Sequence, residues 1–156
     1  MASALDQLAH VPLCSQLTRD ELTRLVEAGR MENWPSDSII MEEGTSGPRL
    51  VILLEGKVSV RKRGADAEGQ VIAELGPGAV LGEMSLLTDQ PRSASVHALT
   101  SLRLFAIDRR NFEEMARDAD PAALKVGLAI SRVLAQRVAT LNQRLVGHLD
   151  AADWQH

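Results

Sequence analysis

Apolar positions change their rhythm twice along the chain. Near the start, Thr18-Arg19-Asp20-Glu21 has the form of a capping box, in which the Thr18 hydroxyl accepts from the Glu21 N–H and the Glu21 carboxylate reaches back. Leu22, Leu25 and Val26 follow at helical spacing, and Gly29 marks a stop. Leu5, Leu8, Val11 and Leu13 are expected to pack this opening segment on the body of the fold. From Ser38 to Asp108, short runs punctuated by glycine replace the helical period. Ile39 to Met41, Leu50 to Leu54, the alternating Val58 and Val60, Val71 to Leu75, Ser93 to Ala98 and Leu102 to Ile107 read as strands. Turns fall at Glu43-Gly44, Glu55-Gly56 and Gly76-Pro77-Gly78, and Gly64 to Gly69 reads as a polar loop. Seven or eight short strands so spaced predict a mainly β fold with flanking helices, an antiparallel sandwich or barrel.

After Asp108 the pattern is helical again. Asp108 is placed to cap a short helix holding Phe112 and Met115, and Asp120-Pro121 supplies the N-cap and first residue of a long helix running to about Leu149. Leu134, Val138, Leu141 and Leu145 are spaced 4, 3 and 4 along it, a seam that packs either on the barrel or on a second copy. The whole, 1–156, reads as a single domain with strands over about 38–108 and C-terminal helices over about 109–149.

Composition narrows the classes of function. With 45% hydrophobic and 24% charged residues the chain has an ordinary globular balance, which excludes wholesale disorder. A net charge of −4, with no basic run longer than Arg61-Lys62-Arg63, lacks the basic excess that nucleic-acid phosphates call for, so no nucleic-acid partner is expected, while a local basic pocket stays open. The only aromatics are Trp34, Phe105, Phe112 and Trp154, too few for a base-stacking platform. Cys14 stands alone, and His10, His97, His148 and His156 are scattered, so neither a disulfide nor a metal site is expected. No apolar run approaches a membrane span and no secretory leader is present, so a cytoplasmic location and no membrane partner are expected. With few residues after Leu149 and no kinase signature or Walker loop, no attached effector is expected.

The segment Gly78 to Val96 carries the chemistry. Gly82 lets backbone approach a ligand closely, and a helical turn starting there would point the N–H groups of Glu83, Met84 and Ser85 at an anion. Arg92, held beside Pro91, offers a planar fork of donors matched to phosphate oxygens. A carboxylate, a guanidinium and a helix start suit a ligand carrying both a phosphate and a hydroxyl. The alternative for Glu83 and Arg92 is a structural ion pair holding a surface loop.

This segment resembles the phosphate-binding cassette of cyclic nucleotide-binding domains, written Phe-Gly-Glu-Leu/Ile-Ala-Leu, a short spacer, then Pro-Arg-Thr/Ser/Ala-Ala. Gly82, Glu83, Leu86, Pro91, Arg92, Ser93 and Ala94 match it in order and spacing, while Leu81 and Ser85 stand where Phe and Ala are common. Gly44, Gly56 and Gly78 look like the family's recurrent glycines, and the likeness covers roughly Leu13 to Leu145. It extends to the sensor domains of bacterial cAMP receptor proteins, cyclic nucleotide-gated channels and protein kinase regulatory subunits. The resemblance implies a β-roll (jelly-roll barrel) with an N-terminal helix and a long C-terminal helix. It implies that Glu83 binds the ribose 2′-hydroxyl and Arg92 the cyclic phosphate, with Met84 and Ser85 amides and Ser93 completing the cradle. Val71 and Leu81 are expected as apolar pocket walls. Arg132, Gln136, Thr140 and Asn142 are the polar residues of the long helix available as a lid, and Arg132 is favoured for stacking on a purine. Ser93 fits cAMP and leaves cGMP open.

The function so implied is a non-enzymatic sensor, without a cofactor. Its partners would be a cyclic nucleotide, an unidentified downstream protein and a second copy joined through the long helix. Its rivals are an interaction module of the same fold that binds no ligand, and an enzyme acting on a nucleotide phosphate.

Overall fold

The computed structural model describes residues 3–64 and 69–153. Residues 65–68 of the polar loop expected over Gly64 to Gly69, and Trp154 and His156, lie outside that range. The chain runs α1 (Ala4–Ala9), a 3-10 turn (Pro12–Cys14), α2 (Arg19–Ala28), β1 (Arg30–Trp34), β2 (Ile39–Met41), β3 (Arg49–Glu55), β4 (Val58–Lys62), β5 (Gln70–Leu75) and β6 (Val80–Leu81). It continues through α3 (Glu83–Leu87), β7 (Ser95–Ala98), β8 (Leu102–Asp108), α4 (Arg109–Arg117) and α5 (Pro121–Asp153). One sheet has the order β1-β8-β3-β6 and the other β2-β7-β4-β5, with antiparallel pairing throughout.

The central sheet is buried on both faces, which explains the uninterrupted apolar run Leu50 to Leu54. Leu50, Ile52, Phe105 and Ile107 join a core with the helices, through Leu8, Leu25, Phe112 and Val126. Val51, Leu53, Leu104 and Ala106 point the other way and pack with Ile40, Val58 and Val96 of the second sheet. The alternating residues of β3 and β8 thus serve two cores at once. Leu8, Val11 and Leu13 are buried and Leu5 partly so, as expected.

Several local expectations meet a different cause. β1 was not foreseen, because Arg-Met-Glu-Asn-Trp shows no apolar alternation; it exists through its pairing with β8. The capping box of α2 forms, with Glu21 N–H donating to Thr18 Oγ1 at 3.2 Å and Thr18 N–H to Glu21 Oε1 at 3.0 Å. Gly29 ends α2 in an extended conformation, and only glycine fits there because a Cβ would strike the Phe105 ring and the Ala106 carbonyl. Asp108 occupies the N-cap of α4 without capping it: its carboxylate accepts from Arg30 Nη1 at 3.2 Å instead. Strand β7 begins at Ser95, two residues later than the sequence pattern suggests.

Helix α5 is anchored at its base and free at its end. Asp120 Oδ1 accepts from the Ala122 N–H at 3.0 Å, and Arg24 holds the same carboxylate at 2.8 and 3.1 Å. Ala122, Ala123, Val126 and Ile130 are buried, and Leu134 borders the core. Beyond it Val138, Leu141 and Leu145 are each more than half exposed. Packing of the seam on the barrel therefore fails for these three side chains.

A second anchor is the ion pair of Glu21 with Lys125, whose Nζ donates to Oε1 at 2.6 Å. The Lys125 hydrogen bond and the Thr18 N–H pull the Glu21 carboxyl from the usual 4.5 down to about 2. Because the folded value is depressed, this contribution is present above about 4.5 and is lost as pH falls from there through about 2. Lys125→Met should lower the urea midpoint near neutral pH, with the gap to wild type closing in that acid window. An equal gap at both ends of the range counts against the assignment.

Candidate functional site

Arg92 is fixed by its backbone before its side chain does anything. Its N–H donates to the Thr45 carbonyl at 3.1 Å and its own carbonyl accepts from the Gly44 N–H at 2.9 Å, stitching the α3–β7 connection to the β2–β3 loop. Pro91 narrows the backbone just before it. In the side chain, Nη2 donates to the Gly47 carbonyl, while Nη1 is buried with no partner among the described residues. Burial, and secondarily the positive charge of Arg49, lower the Arg92 pKa from its ordinary value. Arg49 is already engaged, its Nη1 donating to both Glu32 oxygens at 3.0 and 2.9 Å. The site thus holds an uncompensated, partly desolvated cation, and an anion placed against it would relieve the cost of both conditions.

Opposite lies the start of α3. Pairing of β6 with β3 brings Val51 opposite Leu81 and Ile52 opposite Val80, which forces the next residue against the Arg49 backbone. That residue is Gly82, with φ 77° and ψ 15°; a Cβ there would collide with the Arg49 carbonyl. From this left-handed corner α3 makes one turn, so the N–H groups of Glu83, Met84 and Ser85 have no i−4 carbonyl to meet. Buried Ser85 and Leu86 hold the turn in place, and Met84 stays exposed.

Between the two is a cleft of about 370 Å³. Met41, Val60, Ala73, Leu75 and Val96 give it an apolar lining, and Glu83, Ser85, Arg92 and Ser93 supply polar groups. The Glu83 carboxylate is largely withdrawn from solvent and is ion-paired with Arg137 of α5.

Of the residues singled out in the sequence, Leu81, Gly82, Glu83, Met84, Ser85, Arg92 and Ser93 all line this cleft. Glu83 and Arg92 are not each other's partners: Glu83 meets Arg137 and Arg92 meets Gly47, so the loop-holding ion pair between them is not formed. Val71 is a correction. It is 47% exposed and outside the cleft, because a bulge at Val60/Arg61 pairs it with Arg61 and turns it to the other face, leaving Ile72 and Ala73 on the lining. Arg132 is a second. It lines a neighbouring cavity, and Gln136, Thr140 and Asn142 do not reach the cleft either. The residue of α5 that does is Arg137, which the sequence reading missed. Its signal was its position seven residues after buried Ile130, two helical turns along the same face.

Such a cleft can take a ligand with an anionic group for Arg92 and the α3 amides, a hydroxyl for Glu83 and an apolar plane for the lining. Comparison with known proteins points the same way. A sequence profile described as "Cyclic nucleotide-binding domain" matches residues 31–119. A cyclic nucleotide-gated potassium channel of Mesorhizobium japonicum is 34% identical over 116 residues, covering 74% of this chain and 31% of the channel. A CRP-like cAMP-activated global transcriptional regulator of Mycobacterium tuberculosis is 28% identical over 113 residues, covering 72% of this chain and 49% of the regulator. The catabolite activator protein of Thermus thermophilus superposes with a TM-score of 0.76 at 28% identity, covering 86% of this chain and 61% of that one. The chain spans less than half the length of either curated relative.

The strained corner gives a first test of the site. Gly82→Ala should cost about 1–3 kcal/mol in urea unfolding, since it adds a collision to a positive φ. Gly44→Ala has φ +81° but meets nothing within 4 Å, and should cost only ~1 kcal/mol. Equal losses would show that the approach to Arg49 is not what selects glycine.

Proposed function

The chain belongs to the cyclic nucleotide-binding domain family, and from that membership we propose that it is a cyclic nucleotide sensor whose ligand is clamped between Arg92 and Glu83. The observation that carries the proposal is the buried Nη1 of Arg92, without a partner among the described residues, in the wall of an apolar cleft. In this reading the cyclic phosphate takes Arg92 and the N–H groups of Glu83 to Ser85, with Ser93 beside it. The ribose 2′-hydroxyl donates to Glu83, and the base lies along the apolar lining. We favour cAMP, with cGMP the alternative that Ser93 leaves open. No step makes or breaks a covalent bond: the polar groups bind and orient.

The signal travels through Arg137. A ligand hydroxyl and the Arg137 guanidinium address the same carboxylate, so filling the cleft changes the contact that ties α5 to α3. In the proposal α5 then swings over the ligand as a lid, changing the surface offered to a downstream protein. The sensor is taken to be one cytoplasmic domain; among the described residues no helix is long and apolar enough to cross a membrane. A second reading, an interaction module joined to its own copy, is favoured by the exposed Val138, Leu141 and Leu145.

Thermal melts separate these readings. At about 100 times Kd, cAMP should stabilise the fold by about 2.7 kcal/mol, a rise of a few degrees in Tm. Arg92→Ala should weaken binding by ~2–5 kcal/mol, because the phosphate loses its cation. A melting curve indifferent to millimolar cAMP and cGMP would remove the sensor reading. For the second reading, sedimentation should show a dimer that Leu141→Gln with Leu145→Gln converts to monomer; a wild-type monomer at high concentration counts against it.

A further inference from the structure

A second cavity, of about 400 Å³, lies between the Pro12–Cys14 turn and α5. Leu13, Val80, Ala129, Ile130 and Val133 make it mostly apolar. Three charged side chains also line it: Glu83, Arg137 and Arg132. Glu83 and Arg137 neutralise each other, whereas Arg132 makes no ion pair among the described residues. The cavity therefore carries one uncompensated positive charge beside an apolar wall.

We propose that this cavity binds an amphiphilic monoanion, a compact apolar body carrying one carboxylate or sulfonate, with Arg132 taking the head group. A volume of this size, an apolar lining and few polar groups are the form of small-molecule sites. The free guanidinium selects the anionic head by charge-assisted hydrogen bonds. A second negative charge is disfavoured, because the cavity offers one unpaired cation, Arg132, and no further one to answer it among the described residues. The occupant would lie between α5 and the turn and prop the helix where it now stands. On the reading above, in which α5 moves onto the nucleotide, occupancy opposes nucleotide binding, and linkage makes the opposition mutual.

The full chain is titrated with 8-anilinonaphthalene-1-sulfonate, which has an aromatic body and one sulfonate, and fluorescence is read. Saturable binding of one probe per chain is expected. Arg132→Glu should weaken it by about tenfold or more, Ala129→Trp should abolish it by filling the cavity, and Arg92→Ala should leave it unchanged. With the probe saturating, the cAMP affinity measured by calorimetry should fall several-fold. The site is overturned by non-saturable binding, by full binding in Arg132→Glu, or by its loss in Arg92→Ala or in the Leu141→Gln, Leu145→Gln double variant. Probe binding that depends on Arg132 while cAMP affinity stays unmoved overturns the opposition alone. Arg132-dependent probe binding in a chain that binds no cyclic nucleotide leaves the cavity standing and removes the sensor reading.

Discussion

A guanidinium drawn out of water, with one nitrogen given no acceptor, is the constraint around which this molecule is arranged. Left alone it is a cost, since a buried donor without a partner loses its hydration and gains nothing in return. It persists because the surrounding backbone over-determines it: the Arg92 main chain is tied on both sides to the loop at Gly44 and Thr45, and Nη2 is held by Gly47. Arg49, whose positive charge adds to the cost of keeping Arg92 ionised, is itself engaged by Glu32, so Glu32 is not free to compensate Arg92. The arrangement is poised for an anion and is not satisfied from within.

The doubly buried sheet gives that constraint its precision. β3 and β8 pack helices on one face and the second sheet on the other, so neither can shift without disturbing two cores. β6 hangs from β3 by two register pairs, and the corner at Gly82 is pressed on the Arg49 carbonyl as a consequence. The start of α3 is thus referenced to β3, and the Arg92 loop to the β2–β3 loop that leads into the same strand. Preorganisation of this kind lets a small ligand bind without first ordering its site.

Helix α5 divides its length among three tasks. Its first turns are bound to α2 through Asp120 with Arg24 and Lys125 with Glu21, which fixes the pivot. Its middle reaches the cleft through Arg137, and its outer turns carry an apolar stripe, Val138, Leu141 and Leu145, that is more than half exposed. A firm base, a contact on the Glu83 carboxylate that also lines the cleft, and outer turns left bare are the parts a lever needs. The same middle stretch walls both cavities, so whatever fills either one acts on a single helix.

The local chemistry was legible in the chain itself. The Thr18 capping box, the Asp120-Pro121 helix start and the run from Gly82 to Ala94 each depend on neighbours a few residues apart, and short-range hydrogen bonds and φ preferences decide them. Tertiary structure alone decided what depends on register and on which face of an element is covered. A bulge at Val60/Arg61 turned Val71 out of the cleft, pairing with β8 made a strand of Arg30–Trp34, and Arg30 drew Asp108 away from its cap. The choice of Arg137 over Arg132 followed from the angle at which α5 lies on the core, a quantity set by contacts between residues far apart in sequence. A one-residue slip in a strand, or five residues along a helix, reverses the direction of a side chain, and no local pattern records which direction the packing selects.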